Sequence, residues 1–462
     1  TLSGRDKADT LYGFGGDDIL YGYTSASRGD SGDTFYGGSG NDVLWGGNGA
    51  NTLDGGTGAD TIHSGAGADT IVLRVGDGGS ALTDADTITD FTDGTDALGL
   101  DGSLTYANIT IDQGEGSNSS DTIIKTGSEY LAILTGITAS NITASDFMSM
   151  SGSALTLSGT SDNNTLIGGA SGDTATTGTG VDTIITWSGD DTITIDGAGS
   201  KTINGGAGTD TLTINYSGVS SLSDFTKISR TATSEAALSD AVYTLTYANG
   251  DVISFQGVEN LTVGSNSIKN LYSNNTWGNT FWSASENAFY LYESLVGGSD
   301  GYLSGSLVGG WGANKTSITN GVKISQDATG INAAGTIKIV GTAINDSINL
   351  PFDRATSGST EYAPVVTGSY DISLGGGNDF LYWGNLASSD SVDMGAGDDY
   401  VELYIGPNAV GAPNLSALDM TKLDGGSGSD TLDFMDDPGI SNGSILELTA
   451  GGAVNFENIY GT

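Results

Sequence analysis

The sequence contains no cysteine, five prolines and a single histidine, His63, among 462 residues. The lack of cysteine excludes disulfides and thiol-ligated metals. One histidine cannot supply a His-Glu-x-x-His zinc site or a Ser-His-Asp triad away from its own repeat, and we expect His63 to be a solvated turn residue. No run of 18 apolar residues is present to form a membrane-spanning helix. We therefore expect no enzyme activity, with a glycosidase hidden among the paired carboxylates as the alternative.

Basic residues are also scarce. The chain has 14 lysines and arginines against 56 aspartates and glutamates, which gives a formal net charge of −42. Such acidity excludes nucleic acid as a natural partner and disfavours anionic membrane surfaces. Glycine, in contrast, is abundant, with 75 residues, so the chain is rich in turns that proline does not stiffen. This composition suits the extracellular space, where calcium is plentiful, better than the cytosol.

The sequence does contain a nine-residue repeat. Residues 36–71 read as four consecutive units of the form Gly-Gly-x-Gly-x-Asp-x-apolar-x. One phase of the repeat holds Asp42, Asn51, Asp60 and Asp69, and the phase two residues later holds Leu44, Leu53, Ile62 and Ile71. A nonapeptide that keeps both phases is typical of a calcium-binding parallel β-helix.

The residue types of the repeat explain this interpretation. Glycine reaches positive φ at little steric cost, so the turn bends sharply and directs carbonyl oxygens inward. The aspartate adds carboxylate oxygens, and Ca²⁺ is a hard cation that prefers oxygen ligands. The last three residues form a short strand whose middle side chain points inward. Nine residues make half a coil, so the carboxylates of every second unit stack on the same side of the roll. Stacked carboxylates repel each other unless a cation lies between them. We therefore expect a fold that loosens without calcium.

The same phase predicts calcium ligands along the whole chain. In the first roll the expected ligands are Asp18, Asp33, Asp42, Asn51, Asp60, Asp69 and Asp86, with Gly38, Gly40, Gly47, Gly49, Gly56, Gly58, Gly65 and Gly67. In the second roll they are Asp173, Asp182, Asp191 and Asp210, with Gly206 and Gly208. In the third roll they are Asp379, Asp399 and Asp430, with Gly426 and Gly428. Lys201 stands near the place of a further aspartate, where either calcium is lacking or the ammonium replaces it.

The fold class that follows is all-β, a parallel β-roll of nonapeptide repeats with capping strands. We expect a first roll at 1–99, a cap at 100–150, a second roll at 151–215, a cap with an Asn249-Gly250 hairpin at 216–264, an aromatic-rich insert at 265–335, and a degenerate third roll with a partial cap at 336–462. The insert holds Trp277, Trp282 and Trp311, which form either a binding surface or a local core.

Units 37–44, 46–53, 55–62, 205–212 and 425–432 resemble RTX (repeat-in-toxin) nonapeptides, and stretches 86–98 and 130–147 resemble the segment that closes many RTX rolls. The pattern departs at Asn51 and Lys201. The resemblance implies type I secretion, extracellular folding on Ca²⁺ and a parallel β-roll. Since RTX modules occur in toxins, lipases, proteases, epimerases, adhesins and surface-layer proteins, the fold alone does not name an activity.

These observations favour a secreted, calcium-binding structural protein of the bacterial cell surface that self-associates into a surface layer or an extracellular array. One alternative is a calcium-dependent adhesin that binds cell-surface polysaccharide through the region of Trp277–Trp311. The other is an RTX module of a larger secreted enzyme, because the chain opens in mid-repeat without a methionine.

Overall fold

A computed structural model describes most of the chain. The described residues are 1–4, 7–22, 32–232, 241–264, 266–269, 280–283, 288–291, 293–296, 299–300, 320–323, 336–341, 346–350, 369–383, 390–405, 423–436 and 455–461. Two tryptophans of the insert, Trp277 and Trp311, lie outside them. The described residues are mostly β-strand and turn, which confirms the predicted fold class.

The first roll consists of two facing sheets. One sheet has the spatial order β1 (Leu2–Ser3), β3 (Ile19–Tyr21), β5 (Val43–Trp45), β7 (Thr61–His63), β9 (Asp86–Ile88), β13 (Glu129–Leu134), β12 (Thr122–Thr126) and β11 (Ile109–Gln113). The other has the order β14 (Phe147–Ser149), β10 (Ala97–Leu100), β8 (Thr70–Leu73), β6 (Thr52–Thr57), β4 (Thr34–Ser39) and β2 (Thr10–Tyr12). Successive strands up to β10 alternate between the sheets, so each nonapeptide forms half a coil, as predicted.

The register follows the repeat. Leu44 pairs with Ile62, and Leu53 pairs with Ile71, in parallel strands. These four side chains are fully buried and belong to one continuous core between the two sheets. Burying a side chain of this size contributes about 1.5–3 kcal/mol, so the apolar phase of the repeat contributes directly to the stability of the roll.

Beyond the repeats, an antiparallel meander of β11, β12 and β13 adds to the first sheet, and β13 pairs in parallel with β9. Strand β14 adds to β10 of the second sheet. Ile124, Leu131 and Phe147 extend the same core. The meander therefore covers the edge that β9 would otherwise expose, as expected for a cap.

The chain divides into two compact units, Thr1–Ile193 with Asn204–Gly208, and Thr194–Ile203 with Thr209–Thr462. The first unit holds the first roll and the start of the second roll, where β15 (Thr156–Ser158) pairs with β17 (Thr174–Thr176) and β16 (Thr165–Ile167) pairs with β18 (Asp182–Ile185). Strands β19 (Thr192–Ile195) and β20 (Lys201–Asn204) span the division in the sequence.

The second unit begins with two groups of strands. One group is β21 (Thr211–Ile214), β25 (Asn260–Val263) and β26 (Asn266–Lys269). The other is β24 (Val252–Gln256), β23 (Val242–Tyr247), β22 (Phe225–Ala232), β29 (Glu293–Val296) and β30 (Ser299–Asp300). Strands β23 and β24 are antiparallel, and Gly250 in the turn between them has a φ of +93°, so the predicted hairpin is confirmed.

The third roll again has two sheets. One has the order β27 (Thr280–Ser283), β28 (Ala288–Leu291), β32 (Thr336–Val340), β34 (Ser369–Ser373), β36 (Ser391–Asp393) and β38 (Leu423–Asp424). The other has the order β31 (Asn320–Lys323), β33 (Asp346–Leu350), β35 (Phe380–Trp383), β37 (Tyr400–Ile405), β39 (Thr431–Asp436) and β40 (Asn458–Gly461). All these pairs are parallel except β27 with β28.

Single turns of 3-10 helix connect some strands, at Leu82–Asp84, Tyr106–Asn108, Gly116–Asn118, Ala139–Asn141, Ala144–Asp146 and Leu222–Asp224. Across the described ranges, no helix combines the length and the apolar character that crossing a membrane requires.

Candidate calcium sites

The residues at the ligand phase form a hydrogen-bonded ladder from coil to coil. In each bond, side-chain Oδ1 accepts the backbone N–H of the residue at the same phase one coil earlier. The first roll shows this bond from Asp18 to Asp42 (2.7 Å), Asp33 to Asn51 (2.8 Å), Asp42 to Asp60 (2.7 Å), Asn51 to Asp69 (2.7 Å) and Asp60 to Asp86 (2.9 Å). The later rolls repeat it from Asn164 to Asp182, Asp173 to Asp191, Asp379 to Asp399 and Asp399 to Asp430.

Almost all of the predicted side-chain ligands are buried. At most 3% of the residue surface is exposed in Asp33, Asp42, Asn51, Asp60, Asp69, Asp86, Asp173, Asp182, Asp191, Asp210, Asp379, Asp399 and Asp430. Asp18, in contrast, is only half-buried. A row of buried carboxylates is unfavourable unless each is paired, so the ladder itself indicates that a cation belongs in these turns.

The second carboxylate oxygen of the ladder aspartates, Oδ2, indicates a bound cation more strongly. Oδ2 is buried and accepts no hydrogen bond in Asp42, Asp60, Asp69, Asp379, Asp399 and Asp430. Buried polar atoms in folded proteins almost always have a partner, so six unpaired oxygens at one repeat phase require a common explanation. A bound Ca²⁺ supplies it, because this ion coordinates carboxylate and carbonyl oxygens.

The glycines place backbone carbonyls beside these oxygens. All twelve predicted site glycines have φ between +88° and +156°, a range that other residues rarely adopt. At the first glycine of a unit, Gly37, a methyl group would overlap the Gly55 carbonyl oxygen and lie 2.5 Å from Asp42 Oδ2. Carboxylate and carbonyl from two successive coils therefore converge beside Gly37. In the described part of the chain no three Asp, Glu or His side chains cluster around a metal position.

Burial also perturbs the acidity of these groups. Desolvation raises the pKa of Asp60 and Asp69 to about 6, that of Asp399 to about 7 and that of Asp379 to about 9. Repulsion from neighbouring carboxylates, such as that of Asp42 on Asp60, adds to the effect. A divalent cation reverses this balance because it favours the ionised form.

Four acidic residues on the ladder were not predicted as ligands. Asp96 accepts the N–H of Asp69 (3.0 Å), Asp390 accepts that of Tyr370 (2.8 Å), Glu259 accepts that of Asp210 (2.7 Å) and Glu457 accepts that of Asp430 (2.8 Å). None of these acids follows a Gly-Gly-x-Gly stretch. The signal that identifies them is weaker: an acid two residues before an apolar strand residue, as in Asp96-Ala97-Leu98.

An arginine follows the last complete unit of the first roll. The Arg74 guanidinium donates to both carboxylate oxygens of Asp54 (2.8 and 3.0 Å), to Asp101 (2.9 and 3.1 Å) and to Asp77 (3.2 Å). Asp54 and Asp77 are 6% and 8% exposed. A fixed side-chain cation therefore neutralises acids at the point where the glycine-rich turns end.

The environment of the single histidine differs from the prediction that it is a solvated turn residue. His63 ends β7 and is half-buried, because its ring stacks on Trp45 with 3.6 Å between the ring centroids. Its Nδ1 lies 2.6 Å from Thr89 Oγ1. The side chain thus belongs to a row of rings on the outer face of the first sheet, together with Tyr21.

Glycine-rich turns, a buried aspartate ladder and short parallel strands together define a β-roll of the calcium-binding class. The family model described as RTX calcium-binding nonapeptide repeat (4 copies) matches residues 1–24, 28–62, 45–78, 158–193 and 195–213. The chain therefore carries RTX calcium-binding nonapeptide repeats, and the matches lie in its N-terminal half. The third roll lies outside the matched residues but shows the same ladder. A search of the curated proteins gives no match.

Proposed function

We propose that this RTX protein is secreted and serves as a structural protein of the bacterial cell surface, where it self-assembles into a surface layer or an extracellular array. Calcium lies between successive turns and links the repeats in this proposal. The expected ligands are the carboxylates of the ladder and the carbonyls of the neighbouring glycine turns. The chain acts through assembly and not through catalysis.

An exposed row of aromatic rings on the first roll carries the assembly proposal. Tyr12, Phe14 and Tyr36 are 48%, 79% and 39% exposed. Tyr12 stacks on Tyr36 with 4.9 Å between centroids and on Phe14 with 5.9 Å. Contiguous exposed aromatic surface of this kind is typical of interaction sites.

Phe14 is also in an unfavourable backbone conformation. It occupies the second glycine position of its unit with a φ of +71°, which costs a non-glycine residue about 1–2 kcal/mol. Trp187 occupies the same position of a later unit with a φ of +66°, but its indole Nε1 donates to the Phe147 carbonyl oxygen at 2.6 Å. The Trp187 ring thus gains a contact within the fold, whereas the Phe14 ring remains largely in solvent. A contact between the Phe14 ring and another molecule would account for a strained, exposed aromatic residue at this position.

The partner that fits best is a second copy of the chain. With a net charge of −42, two copies repel each other at neutral pH unless cations screen or bridge their acids. Calcium therefore favours both the folding of the repeats and the approach of the copies, while the aromatic row supplies the apolar contact.

Electron microscopy of the purified protein with millimolar Ca²⁺ and after calcium removal tests this proposal. We expect regular sheets or filaments with calcium that dissolve when it is removed. The variant Phe14→Gly deletes the exposed ring and suits the positive φ, so it should fold at least as well and assemble poorly. Val75→Ser is the matched control, because Val75 is 51% exposed and lies outside the aromatic row. Discrete wild-type monomers in both conditions would overturn the proposal.

Glycan binding is the second candidate, since exposed stacked rings also suit sugar faces. Trp277 and Trp311, which suggested this function in the sequence, lie outside the described residues, so Phe14 and its neighbours carry the candidate here. Calcium-dependent retention of wild-type protein, but not of Phe14→Gly, on surface polysaccharide would favour this function over assembly.

A further inference from the structure

One ligand position of the first roll carries an amide instead of a carboxylate, and its contacts differ in kind from those of its neighbours. Asn51 Nδ2 donates to the Gly49 carbonyl oxygen at 3.0 Å, to Asp69 Oδ1 at 3.0 Å and to the Ser64 carbonyl oxygen at 3.4 Å. These acceptors belong to its own turn and to the turn one coil later. They are the kinds of oxygen that converge on the metal position of a calcium-type turn.

The orientation of this amide is fixed by the ladder. Asn51 Oδ1 accepts the backbone N–H of Asp33 at 2.8 Å, as the aspartates do at their own steps. Rotating the amide by half a turn would set Nδ2 against that N–H, so that two donors faced each other inside a buried turn. The donor end of Asn51 is therefore held toward the oxygens of the turn.

Asp42, one unit earlier, shows the contrast. Its Oδ2 lies beside Gly37 together with the Gly55 carbonyl oxygen and accepts no hydrogen bond. In the unit of Asn51, Nδ2 occupies the corresponding place beside Gly46, together with the Ser64 carbonyl oxygen. One turn thus presents only acceptors and requires a cation, whereas the other has its own donor in the cation's place.

We propose that Asn51 closes its turn without calcium, so that the first roll contains one metal-independent turn between turns of the calcium-binding type. The side-chain amide satisfies carbonyl and carboxylate oxygens that would otherwise need the ion. This assignment replaces the expectation that Asn51 is a calcium ligand. It rests on the chemistry of the turn and does not depend on assembly.

Lys201 resembles Asn51 in that it places a side-chain donor near a ligand position, here in the second roll. It is 1% exposed, and its Nζ donates to the Ala198 carbonyl oxygen of its own turn at 3.2 Å. An ammonium group carries the positive charge that a calcium ion would supply. The first and second rolls therefore each hold one turn that the chain closes with its own donor.

The number of calcium ions bound per chain tests the proposal, measured by equilibrium dialysis and by native mass spectrometry at saturating calcium. Asn51→Asp restores an acceptor-only turn, so it should bind one ion more than the wild type. Asp42→Asn is the reciprocal variant. Its Oδ1 can still accept the Asp18 N–H, which lies at 2.7 Å from Asp42 Oδ1, and it should bind one ion fewer while remaining folded.

Stability without metal gives a second readout. In calcium-free buffer Asn51→Asp should lower the urea midpoint, and Asp42→Asn should raise it, because the first adds an unpaired buried carboxylate and the second removes one. An unchanged ion count in Asn51→Asp beside a lowered count in Asp42→Asn would show that position 51 already binds calcium and would overturn the proposal. So would an Asp42→Asn variant that keeps the full count.

Discussion

Asp60 Oδ1 accepts the backbone N–H of Asp42 at 2.7 Å, across 18 residues of sequence and one coil of the roll. The other oxygen of the same carboxylate, Oδ2, is buried without a hydrogen bond. One side chain therefore has two separable roles. Oδ1 fixes the register between coils whether or not calcium is present, and Oδ2 is available to a cation.

Substitutions at Asp60 separate these roles. Both Asp60→Ala and Asp60→Asn remove the buried carboxylate, but only Asp60→Ala also removes the acceptor of a buried N–H, so its free energy of unfolding without metal should be lower than that of Asp60→Asn by about 1–3 kcal/mol. Asp60→Asn keeps Oδ1 as the acceptor of the Asp42 N–H. It should lose the calcium ion of its own turn without leaving that N–H unpaired. Hydrogen exchange at the Asp42 amide, followed by mass spectrometry in calcium-free buffer, measures the difference. Equal protection of that amide in both variants would contradict the assigned role of Oδ1.

The glycines of the turns should tolerate substitution unequally. Gly56 has a φ of +91°, and a methyl group there would overlap the Gly38 carbonyl oxygen of the previous coil. Gly94 has a φ of +73° but open space around it. Gly94→Ala should therefore cost only the left-handed strain, about 1 kcal/mol, and Gly56→Ala about 3 kcal/mol, because overpacking adds to the strain. Urea unfolding at saturating calcium compares the two, and equal midpoints would show that the coils separate easily at Gly56.

Arg74 should contribute more to stability than an exposed ion pair. Arg74→Ala leaves Asp54 and Asp77 buried without their cation, so we expect a loss of about 2–3 kcal/mol at pH 7. Lys125→Ala, which removes an ion pair with Asp112, whose side chain is 46% exposed, is the control and should cost less than about 1 kcal/mol. Thermal or urea unfolding of both variants checks the order. A larger loss in Lys125→Ala would contradict the role given to Arg74.

The repeat phase allowed much of this fold to be predicted. The spacing of Asp42 and Leu44 determines which side chain enters the turn and which enters the core, since strand residues alternate in direction. Asp96 and Glu259 were missed because no complete Gly-Gly-x-Gly stretch precedes them. The ion pairs of Arg74 with Asp54 and Asp101, 20 and 27 residues away, arise from coil stacking and leave no local pattern. Asn51 shows a further limit, because its position predicts a ligand and only its hydrogen bonds reveal a donor.

Finally, the pKa values of the ladder predict how pH acts on the metal-free protein. Desolvation raises the pKa of Asp60 and Asp69 from 3.8 to about 6, and that of Asp399 to about 7. Between pH 3.8 and these raised values the folded chain binds more protons than the unfolded chain. The contribution of these carboxyl groups to the free energy of unfolding is therefore fully present below pH 3.8 and is lost as the pH rises through 6 and 7. Asp101 and Asp224, whose pKa values are lowered by hydrogen bonds, act in the opposite direction only below pH 4.

The metal-free protein should therefore unfold at a higher urea concentration at pH 5 than at pH 8, and saturating calcium should reverse the order, because protons compete with the ion for ionised carboxylates. Within this range the lowered pKa of His63 acts in the opposite sense, but it is one group against several. Calcium has to be removed on a chelating resin, since soluble chelators lose affinity in acid. Urea midpoints of the metal-free and the calcium-saturated protein at pH 5, 6, 7 and 8 test this prediction. A metal-free protein that gains stability from pH 5 to pH 8 would show that the buried carboxylates are compensated by groups other than calcium.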